Sequence, residues 1–95
     1  MITNPFYILG TWKLTSEESE ELLQFLGDGS YRIYYRNPFR MIELGNWLIR
    51  DESLVMCISN VELSSSITRL ENDVLSLKHK DENEKIVHDS FRKVE

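Results

Sequence analysis

Two Gly-x-Trp units, Gly10-Thr11-Trp12 and Gly45-Asn46-Trp47, each open onto a run in which apolar and polar residues alternate. A period of two is the mark of a strand with one face in a core and the other in water. Such runs recur along the chain, separated by turn residues. Trp47, Ile49, Leu54, Met56 and Ile58 share one face if Asp51-Glu52 turns the chain, with Leu48, Arg50 and Cys57 on the other. Phe25 and Tyr31 flank Gly27-Asp28-Gly29, where Asp-Gly supplies the positive φ angles of a tight hairpin. Glu71-Asn72-Asp73 turns a third hairpin, and Asp81 to Glu84 a fourth. The spacing predicts eight strands, at 11–17, 21–26, 30–36, 40–50, 53–59, 64–70, 74–80 and 85–93.

Every connection is short, so successive strands are expected to be antiparallel neighbours. Eight such strands leave two unpaired edges unless the sheet closes, which makes an all-β, eight-stranded antiparallel up-and-down barrel the expected fold. Two packed sheets are the rival, because alternation and turns do not distinguish closure from a sandwich. Residues 5–9 are expected to form a short N-terminal helical turn, capped by Asn4, that plugs one end with Phe6 and Ile8 or Leu9. With 95 residues the chain is expected to be one domain spanning 1–95.

The ordered motifs Gly10-Thr11-Trp12-Lys13-Leu14, Phe25 with Asp28-Gly29-Ser30-Tyr31, Gly45-Asn46-Trp47, Ile67 to Leu70, Val74-Leu75-Ser76-Leu77 and Phe91-Arg92-Lys93 run through nearly the whole chain. In that order and spacing they resemble the small bacterial lipocalin-like domains of the calycin group. The resemblance implies that Trp12 lies across the closed end of a barrel beneath a basic side chain of the last strand, Arg92 or Lys93. It also implies a lumen or mouth that binds a small apolar or amphipathic ligand. Lipocalins proper are longer, commonly disulfide-bonded and carry a helix beside the barrel, features this chain lacks.

Strands of about six residues make a barrel only about 20 Å long, easily filled by its own side chains. Trp12, Phe25, Tyr31, Tyr35, Trp47, Met56 and Leu77 are the lumen candidates, either as packing or as the lining of a ligand cavity.

Chemistry-bearing motifs are sparse. One register of the last hairpin sets His79 opposite His88. Another pairs Leu75 with Phe91 and His79 with Val87, which separates the histidines, so no metal site is expected. Ser64-Ser65-Ser66 lacks a nucleophile elbow and reads as a loop or solvated strand start. No glycine-rich phosphate loop precedes a helix. The expectation is a protein that is not an enzyme and needs no cofactor.

The net charge of −5 disfavours nucleic acid, whose affinity comes from phosphate neutralisation. No apolar run approaches the ~20 residues of a membrane-spanning helix, and Met1 to Pro5 carries no basic leader, so a cytoplasmic location without membrane association is expected. The single Cys57, in an apolar run, is expected to be buried and cannot form an intrachain disulfide. Two surfaces suit a protein partner instead. One is the acidic stretch Glu17, Glu18, Glu20 and Glu21. The other is the outward face of the third strand, Arg32, Tyr34 and Arg36, of residue types enriched at interfaces. Either surface suits a compact protein-binding inhibitor of the immunity or anti-defence type, and the Arg/Tyr face also suits a homodimer; a monomer is the other expectation.

Overall fold

The computed structural model describes residues 5–15 and 20–95, so Asn4, Glu17 and Glu18 and what was expected of them lie outside the described residues. A 3-10 turn at Pro5–Ile8 leads into eight strands: β1 Gly10–Leu14, β2 Glu21–Phe25, β3 Ser30–Arg36, β4 Phe39–Arg50, β5 Ser53–Ile58, β6 Val61–Glu71, β7 Val74–Lys80 and β8 Ile86–Lys93. Each strand pairs antiparallel with the next, and β8 returns to β1, closing an up-and-down barrel. Closure rather than a sandwich removes both edges. The seam sets Trp12 opposite Lys93 and Leu14 opposite Phe91. It extends into the C-terminal tail, where the Thr11 N–H donates to the Glu95 carbonyl and the Val94 N–H to that of Thr11.

Three hairpins are two-residue turns with both residues at positive φ: Asp51 and Glu52, Ser59 and Asn60, Asn72 and Asp73. This backbone matches the right-handed twist of the flanking strands. At 27–29 only Gly29, at φ 91°, is positive, while the Asp28 carboxylate accepts from the backbone and hydroxyl of Ser30. Arg36 and Phe39 pair across Asn37 and Pro38, whose peptide bond is cis.

The turn at Ser59 and Asn60 shifts the start of β6 to Val61. Ser64 to Ser66 therefore stand within a strand, opposite Leu54 and its neighbours, and not in a loop or at a strand start. Their short side chains suit the mid-strand position because Ser64 and Ser66 face solvent. β1 ends at Leu14, short of the expected 17.

Ile8, Trp12, Leu23, Phe25, Tyr31, Leu54, Leu75 and Leu77 form the core, with Trp47, Ile49, Met56 and Phe91 packed against it. Full burial of an aliphatic or aromatic side chain contributes roughly 1.5–3 kcal/mol. In the N-terminal turn Ile8 is fully buried. Phe6 remains 75% exposed, contrary to the expected plug, because one short turn directs only one large side chain into the barrel end. Cys57 is half-buried rather than buried: its row faces outward, between Asn46 and Glu62 on the neighbouring strands. Val55, on the same outward row between Leu48 and Ser64, is nevertheless buried.

A candidate binding cavity at the open end of the barrel

The two Gly-x-Trp units build the closed end. Gly10 has φ +129°, a conformation side chains rarely adopt, and a methyl there would lie 2.6 Å from the Glu95 carbonyl oxygen. Gly45 faces the Tyr31 ring, whose Cε1 would be 2.7 Å from an added Cβ, and the Cys57 carbonyl. In each unit the glycine admits a neighbour, and the tryptophan two residues on points the same way, into the barrel. Both indole N–H groups are satisfied: Trp12 Nε1 donates to the Ile8 carbonyl at 2.9 Å and Trp47 Nε1 to that of Leu26 at 3.0 Å. Phe25 meets Trp47 edge-on, with ring centroids 5.6 Å apart, and lies 6.4 Å from Tyr31. The cation over Trp12 is Lys93, its Nζ 5.1 Å from the ring centroid, and Arg92 is exposed.

Tyr31 adds a polar contact to this packing. Its hydroxyl donates to Glu43 Oε2 at 2.7 Å. Burial, followed by the hydrogen bond and charge of Glu43, pushes the phenol well above its ordinary pKa.

Large rings crowd the closed end, whereas smaller side chains line the other. The open half holds a cavity of about 550 Å³, within the roughly 300–1,000 Å³ of small-molecule sites. Trp12 forms its floor. Leu14, Leu23, Ile33, Met56, Leu77 and Phe91 form its apolar wall. Polar groups gather toward the mouth: Glu21 of β2, Ser64 and Ser65 of β6, His79 and Lys80 of β7, Asp81 and Glu82 of the turn that follows, and Asp89 of β8.

Of the seven lumen candidates, Trp12, Met56 and Leu77 line this cavity. Phe25, Tyr31 and Trp47 do not; they fill the closed end against one another. Tyr35 pairs with Glu21 and Arg40 across the sheet and is half-buried away from the cavity. Ring size explains the division, since rings stacked at one end leave room only at the other. Leu14, Leu23, Ile33 and Phe91 were legible as inward positions by alternation alone. The polar mouth was not, because it assembles from β2, β6, β7 and β8.

The last hairpin adopts the register that pairs Leu75 with Phe91 and His79 with Val87, so His79 faces the cavity and His88 faces out. No group of three metal-ligating side chains occurs among the described residues. His79 Nδ1 lies 3.9 Å from Asp89 Oδ2, within reach of an ion pair but longer than a hydrogen bond. Ser65 lines the same cavity, yet no hydrogen bond joins it to His79 among the described residues.

Glu20 lies 4.0 Å from Lys13, and Glu21 belongs to the cavity mouth. Tyr34, on the outward row, is nonetheless buried. The Arg32 guanidinium stacks 4.6 Å from its ring centroid and Phe39 lies 5.7 Å away, so the neighbours and not the phenol meet solvent. Arg36 pairs with Glu95. The outer wall presents Phe39, Met41 and Leu44 instead, exposed apolar residues that the Arg/Tyr pattern did not indicate.

Comparison with protein-family models and with curated proteins gives no match to this chain. No helix among the described residues is long and apolar enough to cross a membrane.

Proposed function

We propose that this protein is a non-catalytic binding domain that holds a small apolar or amphipathic molecule in the open end of its barrel. The cavity of about 550 Å³, walled by Leu14, Ile33, Met56 and Leu77, carries the reading. Such a space excludes bulk water from an apolar molecule, and each methylene transferred into it contributes about 0.8 kcal/mol. The resemblance to lipocalin-like domains supports the same use of the barrel.

The test is titration with 1-aminoanthracene, a neutral dye that brightens in apolar surroundings. Saturable one-to-one binding is expected in the natural chain. Leu77→Trp, which places an indole in the cavity, is expected to abolish it while the barrel stays folded by circular dichroism. Binding unchanged by that substitution would remove the lumen as the site.

A second reading, a protein-binding inhibitor, is favoured by the exposed Phe39, Met41 and Leu44 beside Arg32. Apolar residues around an arginine form the kind of patch that interfaces bury. Leu44→Lys is expected to weaken capture of a protein partner and to leave dye binding intact. Capture from host extract that is insensitive to Leu44→Lys would count against this face.

A further inference from the structure

The lining of the cavity is divided along its depth. Leu14, Leu23, Ile33, Met56 and Leu77 make the wall apolar, and Trp12 closes the floor. Ionisable groups stand toward the mouth, and their signs are unequal: Glu21, Asp81, Glu82 and Asp89 face Lys80 and His79. An amphiphile entering tail-first leaves its head among these groups, so the sign of the mouth selects the sign of the head.

We propose that the occupant is a cationic amphiphile, with its apolar chain in the lumen and an amine or quaternary ammonium among the carboxylates of the mouth. This rests on the cavity being the binding site. Charges within a few ångströms of one another interact several times more strongly near a protein surface than in bulk water. A carboxylate head would meet that interaction as repulsion from the four acids, opposed by Lys80 and, when protonated, by His79. A cationic head meets it as attraction. The four acids do not contribute alike. Asp81 Oδ1 already accepts from the backbone N–H groups of Asn83 and Lys85, each at 2.9 Å, and so holds the turn in shape. Asp89 lies on the inner face of β8 opposite Leu77, where the polar mouth meets the apolar wall. Glu82 extends from the turn above it. Asp89 stands 3.9 Å from His79 Nδ1, beyond hydrogen-bond distance, so it and Glu82 are the carboxylates best placed to follow a head group. The overall charge of −5 adds a field that draws cations toward the protein.

The experiment compares three probes with the same chain, dodecylamine, dodecanol and laurate, by displacement of 1-aminoanthracene from the full-length protein, each below its aggregation concentration. Dodecylamine is expected to bind tightest and laurate weakest, with the separation between them narrowing as salt is added. Asp89→Asn with Glu82→Gln is expected to weaken dodecylamine about tenfold, or about 1.4 kcal/mol, and to leave dodecanol unchanged. Both substitutions keep the side-chain shape, and unaltered dodecanol affinity reports an intact cavity. Laurate binding as tightly as dodecylamine, or an amine preference that survives the double substitution, would overturn the cationic assignment while leaving the cavity in use. Failure of all three probes to displace the dye would overturn both the assignment and the reading it rests on.

Discussion

The ring of Tyr31 occupies the space that a side chain at Gly45 would need. The two residues are register partners on β3 and β4, and an added Cβ at 45 would lie 2.7 Å from Tyr31 Cε1 and would also meet the backbone carbonyl of Cys57. Glycine here is a packing requirement: it lets a phenol lie flat against the sheet and reach Glu43 two residues back along β4.

Gly45→Ala is therefore expected to destabilise the barrel by about 3 kcal/mol, the upper end of overpacking, because one clashing partner is backbone and cannot swing aside. Urea denaturation followed by tryptophan fluorescence measures it. The double variant Gly45→Ala with Tyr31→Leu should recover part of the loss by removing the ring. No recovery would place the strain entirely at the Cys57 carbonyl.

Tyr31→Phe removes the donor to Glu43 and should cost about 1–2 kcal/mol at neutral pH. It should also change the alkaline limb of stability. The Tyr31 pKa is raised on folding above its ordinary value of 10.0, chiefly by burial. The folded state thus keeps a proton that the unfolded state releases, and the stabilisation is complete below pH 10 and declines as pH rises above it. Denaturation midpoints measured from pH 8 upward should fall more gently in Tyr31→Phe than in the natural chain. Parallel curves would show that Tyr31 ionises as freely folded as unfolded.

Lys93 Nζ stands over the Trp12 ring and also reaches the Tyr7 carbonyl at 3.5 Å. Replacing it with glutamine keeps much of the stem and removes the charge. A loss of about 1 kcal/mol is expected, in the range of partly desolvated cation–π contacts, together with a change in Trp12 emission in a variant whose Trp47 is replaced by phenylalanine. The same loss in Arg92→Gln, whose side chain is exposed, would assign the effect to net charge and not to the ring contact.

Alternation and turn chemistry determined the architecture. Strands at 21–26, 30–36, 40–50, 53–59, 74–80 and 85–93 agree with β2, β3, β4, β5, β7 and β8 to within one residue, because hydrophobic period and turn residues are local properties that the sequence displays directly. The Ser59-Asn60 turn carries neither the Gly nor the Asp that marks the hairpin turns legible in the sequence, which is why the sequence pattern sets the start of β6 at 64 and not at Val61. Tertiary structure decided what no local pattern carries. Closure between β1 and β8 joins residues as far apart in the chain as Trp12 and Lys93, and it also decides which inward residues meet one another. Phe25, Tyr31 and Trp47 were legible as interior, but only their convergence at one end turns them into a plug and leaves space at the other. Likewise Glu21, which the sequence groups with the acidic stretch at 17–21, stands far along the chain from Glu82 and Asp89. They become one mouth because the barrel's curvature brings the ends of β2, β7 and β8 around a common opening.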